Sequence, residues 1–272
     1  MQPPSPLALP LPWNLVAPAY AAEVMPQFEV YANEALRLAA APPGGRVVDV
    51  ACGPGTLSLL AARAGLAVDA VDFSPVMIAE LEARAAGTGV TPHVADGQAL
   101  PFADGTFAAG FSMFGLMFFP DRARGFAELR RVLAPGARAV VSSWVPLDMI
   151  PVMGAIFPVI GRELARLMPG GPPPAPPSLP LTMEEDCRRE MGAAFERVEV
   201  HRASHEERYP SVAELWAHLS RTMAPLVFLR SKLDEEGWTA VAARGQEAIA
   251  AAIGDGPATL AMTALLTVGV AG

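Results

Sequence analysis

Three carboxylates and two glycines are regularly spaced in the first hundred residues of the chain. Asp49 precedes the pair Gly53 and Gly55, Asp72 follows Asp49 by 23 residues, and Asp96 follows Asp72 by 24. Glycine lets a ligand approach the backbone without meeting a side chain. One carboxylate can accept both hydroxyls of a ribose, and another can accept from an exocyclic amine such as that of adenine. The set therefore predicts a pocket shaped for an adenosine.

Each of these groups also has a purely structural interpretation. The Gly-Pro-Gly turn can serve only as a tight strand-to-helix connection, Asp72 as an acid beside a helix cap, and Asp96 as a turn residue before Gly97. A dinucleotide oxidoreductase is the nearest rival among enzymes. Its fingerprint requires G-x-G-x-x-G, and Ser58 stands where the third glycine belongs. That rival also leaves Asp49 without a role, so we rank it lower.

The elements around these residues alternate between strand and helix. Apolar runs predict strands, turn signals and 3.6-residue periodicity predict helices, and the alternation predicts a parallel sheet covered on both faces. Ligands of such sheets bind beyond the carboxyl ends of the strands, where all three acids are expected. The predicted strands are 46–51, 66–73, 91–96, 107–114 and 137–145, and the predicted helices are 56–64, 75–86 and 121–133.

The two ends of the chain follow a different pattern. Residues 1–22 are punctuated by prolines and predict an extended arm, and a helix is expected from Glu23. Beyond residue 145 we expect strands at 195–204 and 263–271, helices at 211–223 and 239–253, and a proline-rich loop at 169–180. We therefore divide the chain into an N-terminal arm and cap helix (1–40), a cofactor-binding core (41–145), and cap inserts with the final strands (146–272).

The composition favours a globular protein that binds a small molecule. Hydrophobic residues make up 52% of the 272 residues, and the formal net charge is −8. No run of Lys and Arg resembles a phosphate-tracking stripe, which argues against nucleic acid as a partner. Cys52 and Cys187 have no disulfide or metal-site spacing, so we expect a reducing cytoplasm and no metal. Gly and Pro interrupt the uncharged stretches, and we expect no membrane span.

Four stretches together identify a resemblance to a known family. They are VVDVACGPGTLS, VDAVDFSPVMI, ADGQALPFADGTFAAGFSMFGLMFF and ELRRVLAPGARAVVSSW. They resemble the class I S-adenosylmethionine-dependent methyltransferases, in particular the small-molecule branch with the menaquinone and ubiquinone biosynthesis enzymes. The resemblance covers about residues 20–145 well. It implies a Rossmann-like α/β fold, with a seven-stranded, mostly parallel sheet, an antiparallel last strand and a helical cap.

The resemblance also implies residue roles. The turn from Ala51 to Gly55 would hold the methionine part of the cofactor, with Asp49 nearby, and Asp72 would bind the ribose. One departure is Ala51, which stands where many members have glycine. The implied cofactor contacts are Tyr20, Asp49, Ala51, Cys52, Gly53, Gly55, Asp72, Phe73, Asp96, Gly97, Ser112 and Met113.

The sequence is less informative about the methyl acceptor. Apolar residues after the fourth and fifth strands predict either core packing or a pocket for an apolar or aromatic molecule. Among the histidines, His205 and His218 are weak candidates for a catalytic base, while His93 and His201 are weaker still. The acceptor, the methylated atom and the oligomeric state stay open, as does a cofactor-binding protein without transfer activity. The candidate pocket residues are Phe114, Met117, Phe118, Phe119, Met149, Met153, Ile156 and Phe157.

Overall fold

A computed structural model describes residues 6–167 and 179–272, and within them the chain forms one seven-stranded sheet. The strand order is β3-β2-β1-β4-β5-β7-β6 for the strands defined below. Strand β7 pairs antiparallel with both β5 and β6, and the remaining pairs are parallel. This confirms the mostly parallel sheet with an antiparallel last strand. The strands are β1 (Arg46–Val50), β2 (Ala67–Asp72), β3 (Val90–Val94), β4 (Phe107–Met113), β5 (Leu133–Trp144), β6 (Glu196–Tyr209) and β7 (Ala258–Val270).

Helices cover both faces of this sheet. Phe107 and Phe126 are buried in the core on one face, and Tyr31 and Phe111 in the core on the other, each at most 1% exposed. The helices are α1 (Pro10–Ala19), α2 (Met25–Ala39), α3 (Thr56–Arg63), α4 (Pro75–Ala85), α5 (Arg122–Val132), α6 (Pro151–Leu167), α7 (Glu184–Gly192), α8 (Val212–Thr222), α9 (Ala224–Arg230) and α10 (Glu235–Ile253).

The strand order reverses between β1 and β4, which are neighbours in the sheet. From β1 the chain proceeds outward to β2 and β3 on one side, and then returns to β4 on the other. In doubly wound sheets the loops that leave the two central strands diverge at this point and open a crevice. The fold therefore places the glycine-rich turn after β1 at the edge of a crevice.

Local sequence signals set several helix starts. The Ser74 hydroxyl accepts a hydrogen bond from the Met77 N–H at 3.1 Å, so Ser74 caps α4 as its Ser-Pro sequence predicts. Asp121 caps α5 in the same way, accepting from the Arg124 N–H at 3.0 Å. These caps hold the helices that flank the second and fourth strand ends.

The prediction of an extended arm over residues 1–22 is wrong for residues 6–22, and residues 1–5 lie outside the described part of the chain. Residues 10–19 form α1, and a π-helical turn, Tyr20–Val24, joins it to α2. Pro10 and Pro12 lie in the first turn of α1, where the missing N–H groups have no intrahelical partner in any case. Val16 and Ala17 are fully buried in a cluster that includes Met77 of α4. Tertiary packing therefore outweighs the helix-breaking tendency of the prolines.

Beyond residue 145 the structure adds elements that the sequence pattern does not predict. Helices α6, α7 and α9 lie in stretches without a predicted element, and Pro158 is accommodated inside α6. Strands β6 and β7 form a long antiparallel pair that exceeds the predicted ranges. Most of the predicted proline-rich loop, residues 169–178, lies outside the described residues.

Candidate functional site

A cavity of about 540 Å³ lies at the carboxyl ends of β1, β2 and β4. Its walls also include residues of the N-terminal helices, of α8 and α9, and of the β6–β7 pair. Gly55 and Ser112, which the sequence also predicts as cofactor contacts, do not line it. The predicted cofactor residues that do line it are Tyr20, Asp49, Ala51, Cys52, Gly53, Asp72, Phe73, Asp96, Gly97 and Met113.

The two glycines of the turn have different physical reasons to be glycine. Both have a positive φ, 54° at Gly53 and 94° at Gly55. A Cβ on Gly55 would lie 2.3 Å from Leu81 Cδ1, so this glycine lets α3 and α4 pack closely. A Cβ on Gly53 would meet only Met77 Sδ, at 4.0 Å, and Gly53 borders the cavity. The turn is thus both a tight connection and an open backbone beside the cavity.

Ala51, the departure from the family pattern, is accommodated by a glycine on the opposite loop. Its φ is 56°, a conformation in which glycine is favoured. A Cβ on Gly115, which follows β4, would lie 2.3 Å from the Ala51 Cβ. The methyl group of Ala51 therefore occupies the space that the missing side chain of Gly115 leaves.

Asp49 is a buried acid with one oxygen unpaired. Its side chain is 1% exposed, and the Ser58 hydroxyl donates to Oδ2 at 2.6 Å. Oδ1 has no hydrogen-bond partner among the described residues. Burial raises the pKa of Asp49 to about 7, and the nearby Asp72 carboxylate adds to this effect. A buried carboxylate in this state favours a ligand that brings a positive charge or a donor.

Asp72 is held at the edge of the turn by backbone donors. The Gly53 N–H donates to Oδ2 at 2.9 Å, and the Ser74 N–H donates to Oδ1 at 2.8 Å. Burial nevertheless raises its pKa to about 6. Burial and the Asp72 carboxylate together raise the pKa of the Tyr20 hydroxyl. The structure thus brings Tyr20 from the N-terminal segment close to the acid at the end of β2.

Asp96 and Gly97 form the third strand end of the cavity. Asp96 is exposed, and its Oδ1 accepts from the Gln98 N–H at 2.8 Å. Gly97 is buried, and a Cβ there would lie 2.5 Å from Phe119 Cζ. The close packing of Phe119 on this backbone explains the glycine. The carboxylate therefore stands at the cavity edge with solvent access.

Ser112, like Gly55, is a predicted cofactor contact that lies away from the cavity, and it has a structural partner of its own. Ser112 is fully buried, and its hydroxyl accepts from the Leu116 N–H at 3.1 Å. It shapes the turn after β4, from which Met113 and Phe114 reach the cavity. Cys52 lines the cavity, but burial raises the pKa of its thiol well above its usual value, which disfavours the nucleophilic thiolate.

Aromatic rings form another part of the cavity wall. Phe114 and Trp144 stack with their centroids 4.0 Å apart and their planes at 14°. Phe28 and Tyr31 of α2 pack against both rings at 5.1–5.6 Å. The Tyr31 hydroxyl donates to the Met262 carbonyl at 2.8 Å, so its polar end is satisfied. This aromatic part of the cavity wall suits a flat, apolar molecule.

The apolar residues predicted for an acceptor pocket separate into two groups. Met117 and Ile156 are at most 1% exposed and belong to the core, and Met149 is 59% exposed on the surface. None of these three lines the cavity. Those that line it are Phe114, Phe118, Phe119, Met153 and Phe157.

Two of the four histidines line the cavity. His205 Nε2 lies 3.3 Å from Glu207 Oε1, and His218 Nδ1 lies 3.0 Å from Glu23 Oε2. His93 Nε2 lies 2.8 Å from the Asp69 carboxylate. The two weak candidates are therefore those that reach the cavity, and His93 and His201 are not among its lining residues.

Sequence reasoning expected an N-terminal cap helix and named Tyr20, but it missed four further cavity residues of the N-terminal helices. Trp13, Gln27, Phe28 and Tyr31 all line the cavity. The helical spacing of Phe28 and Tyr31 indicates a shared face, but nothing local indicates what that face covers. Glu23 was predicted only as the start of a helix, and its partner His218 is 195 residues away.

Neither a metal centre nor a membrane-spanning helix occurs within residues 6–167 and 179–272. These residues contain no group of three or more His, Cys, Asp or Glu side chains that could hold a metal ion. Within the same residues, no helix has the length and apolar character needed to cross a membrane.

Comparison with known proteins agrees with this geometry. Residues 47–136 match the family of methyltransferase domains. An uncharacterised protein of Mycobacterium tuberculosis is 45% identical over 104 residues, which cover 38% of this chain and 38% of that protein. The ubiquinone/menaquinone biosynthesis C-methyltransferase of Geobacter sulfurreducens is 36% identical over 139 residues, which cover 43% of this chain and 54% of that enzyme. The chain thus matches about half or less of the length of these relatives.

Among solved structures, the 4+2 cyclase SpnF is similar in fold. Its TM-score is 0.62 at 18% identity, over 99% of this chain and 97% of that one. At 18% identity this likeness supports a shared fold only. The similarity to methyltransferase domains is supported by residues 47–136 and by the curated relatives. Together with the acids and the glycine-rich turn, they show that residues 47–136 are similar to methyltransferase domains, and the relatives that match this region include a quinone C-methyltransferase.

Proposed function

We propose that this protein transfers the methyl group of S-adenosylmethionine to an oxygen, nitrogen or carbon atom of a small apolar or aromatic metabolite. One observation carries the proposal: the acids Asp49 and Asp72 and a cluster of aromatic rings line a single cavity. The acids suit a charged nucleoside and the aromatic rings a flat acceptor. Such an arrangement can hold a nucleophile close to a methyl group while excluding water.

The chemistry of these acids fits the cofactor. The unpaired Oδ1 of Asp49 is a buried acceptor that an ammonium group would satisfy. Asp72 retains lone pairs for ribose hydroxyls, and Asp96 can accept from the adenine amine. When bound, the cofactor supplies an electrophilic methyl group. The residues of the chain hold the cofactor and the acceptor and keep water away.

The remaining predicted contacts are assigned as part of the same proposal. The backbone from Ala51 to Gly53 would hold the methionine part, Phe73 would border the adenine, and Tyr20 would close over the site. Gly97 would offer its N–H, and Met113 would lie near the sulfonium. We infer that Gly55 and Ser112 shape their turns, because each has a packing or hydrogen-bonding partner of its own.

The proposal extends to partners, compartment and domain organisation. The partner is a small acceptor rather than nucleic acid, consistent with the acidic balance of the chain. Cys52 and Cys187 are buried free thiols, which suits a reducing cytoplasm. In this proposal residues 41–145 bind the cofactor, and residues 1–40 and 146–272 cover the acceptor.

Calorimetry with S-adenosylhomocysteine, the demethylated product, tests the cofactor site directly. We expect saturable binding that the variant Asp72→Asn weakens and the variant Asp255→Asn, at an exposed acid outside the cavity, leaves unchanged. Titration with NADH and NADPH in the same buffer serves as the comparison for the oxidoreductase interpretation. Preferential binding of a nicotinamide cofactor would overturn the proposal.

Turnover is tested separately from binding. The protein is incubated with S-adenosylmethionine and a low-molecular-weight metabolite extract, and S-adenosylhomocysteine is measured by mass spectrometry. We expect product that depends on the extract. Tight cofactor binding without product across a broad panel of extracts would favour a cofactor-binding protein that lacks transfer activity.

A further inference from the structure

Glu23 and His218 form a carboxylate–imidazole pair in the cavity wall. Glu23 lies in the π-helical turn before α2, and His218 lies on α8. Glu23 Oε2 is 3.0 Å from His218 Nδ1. The His218 side chain is only 9% exposed and lines the cavity. Two elements that are distant in sequence thus place one imidazole at the cavity with a carboxylate behind it.

Arg221 keeps the Glu23 carboxylate of this pair ionised. Its Nε and Nη2 donate to the two Glu23 oxygens, each at 3.0 Å. The Arg221 guanidinium lowers the pKa of Glu23, which therefore stays ionised. An ionised carboxylate can only accept hydrogen bonds, so Nδ1 of His218 carries the hydrogen. In its neutral form, His218 then has its lone pair on Nε2, for which no partner occurs in the described parts of the chain.

Tyr209 and Glu207 of β6 and Glu214 of α8 are further polar or charged groups around this pair. The Tyr209 ring is 5.3 Å from the imidazole, and the Tyr209 hydroxyl donates to Glu207 at 3.3 Å. Glu207 also accepts from Gln27 at 2.6 Å and contacts His205 at 3.3 Å. His205 is therefore only one of several partners of its carboxylate. His218 has the better defined orientation because its carboxylate is anchored by two guanidinium hydrogen bonds.

We propose that His218, oriented by Glu23, accepts the proton of a hydroxyl group on an aromatic or enolic methyl acceptor. This inference rests on the proposed methyl transfer and names its substrate class. The acceptor O–H bond breaks and its proton goes to Nε2. The oxygen electron pair forms the O–CH₃ bond, while the S–CH₃ bond breaks and sulfur keeps that pair. His218 is the catalytic residue, and Glu23 is a positioning residue.

The substrate class follows from acidity and shape. A phenol titrates near pH 10, as tyrosine does, so its hydroxyl is acidic enough for an imidazole to take up the proton during methyl transfer. Aliphatic alcohols are far weaker acids, and an amine can attack through its lone pair before it loses a proton. The aromatic side chains that line the cavity, Phe114 and Trp144 among them, favour contact with a flat ring. Geometry and acidity therefore both favour a phenol or an enol.

The first experiment measures ionisation of a bound phenol without turnover. The probe is 4-nitrophenol, whose phenolate absorbs visible light, bound to the protein loaded with S-adenosylhomocysteine. We expect the bound phenol to ionise about one pH unit or more below its midpoint in solution, because His218 takes up the proton. H218Q should abolish this shift. H201Q serves as the matched control, because His201 lies on β6 outside the cavity lining.

The second experiment measures methylation of a series of simple phenols of graded acidity. We expect H218Q to lose about 10²–10⁴-fold in kcat/KM with weakly acidic phenols, the usual contribution of a general base. The loss should be much smaller with a phenol that is already ionised at the assay pH. E23Q should lose less than H218Q and should change the pH profile, which a merely structural role would not do. If H218Q fails to fold, E23Q carries the same comparison.

Several outcomes would overturn this inference. One is that H218Q lowers kcat/KM equally for acidic and weakly acidic phenols. Another is that H205Q, and not H218Q, causes the loss. Binding of S-adenosylhomocysteine without methylation of any phenol in the series would also contradict it, while leaving the cofactor site intact. Failure of S-adenosylhomocysteine to bind at all would instead refute the proposed function on which the inference rests.

Discussion

Replacing Asp49 by asparagine tests whether the buried acid is kept for a ligand at the expense of stability. Asp49 is 1% exposed, its Oδ1 is unpaired, and its pKa is raised from 3.8 to about 7. The folded protein therefore binds this proton more tightly than the unfolded chain does. By linkage, this group makes the apo protein lose stability as the pH rises from about 4 to about 7.

The size of the effect follows from the two pKa values. Each pKa unit corresponds to about 1.4 kcal/mol, so ionised Asp49 costs the folded apo protein about 4 kcal/mol at pH 8. Asparagine removes this cost, but its amide leaves a buried donor without an acceptor where Oδ1 stood, at about 1–3 kcal/mol. We expect D49N to be more stable than the wild type by about 1–3 kcal/mol at pH 8. Between pH 8 and pH 5 that advantage should shrink by about 2–3 kcal/mol, because folded Asp49 takes up its proton.

The assay is urea unfolding of both apo proteins at pH 8 and pH 5, followed by calorimetry with S-adenosylhomocysteine. Asp72 titrates in both proteins and cancels to first order in the difference. D49N should bind the ligand about 10- to 150-fold more weakly, the value of a hydrogen bond to a charged group. D255N, at an exposed acid, should change neither measurement. A stability difference that is the same at both pH values would refute the reasoning.

Two further substitutions test the geometry of the site. D72A should lower the affinity for S-adenosylmethionine by about 1.5–3 kcal/mol in calorimetry, and unchanged affinity in a folded variant would contradict the ribose assignment. G115A places a Cβ 2.3 Å from that of Ala51 and should destabilise the protein by about 1–3 kcal/mol in urea unfolding. A51G in the same chain should restore most of this loss, and strictly additive effects in the double-mutant cycle would argue against the contact.

The central part of the fold follows from sequence because its signals are local. Strand patterns, the Ser74 cap and the glycine-rich turn each act within a few residues. Parallel strands share an edge, so Asp49, Asp72 and Asp96 could be placed together without knowledge of any contact. The reasons for individual glycines could not be predicted, because Gly55 faces Leu81 on another helix.

The cover of the site depends on contacts between distant segments. Prolines at 10, 12 and 18 indicate a broken or extended chain, whereas burial of Val16 against Met77 and Ala224 stabilises a helix there. The predicted acceptor residue Met117 is buried core, because position after a strand does not fix which side a short turn presents. Such outcomes depend on tertiary packing, which a single sequence does not display.

The π-helical turn of the N-terminal segment, Tyr20–Val24, is close to both Asp72 and His218. Tyr20 opens this turn beside Asp72, and Glu23, three residues later, holds His218. Each residue of a regular α-helix advances by about 100° around the helix axis. A regular α-helical turn in place of the π-helical one would therefore rotate one of these side chains away from its partner. Helix propensity gives no reason for the irregular turn, whereas two simultaneous long-range contacts do. Residues 20–23 therefore form part of the wall beside Asp72 and also orient His218, the proposed proton acceptor. In this way the N-terminal segment contributes both to cofactor binding and to proton transfer in the proposed reaction.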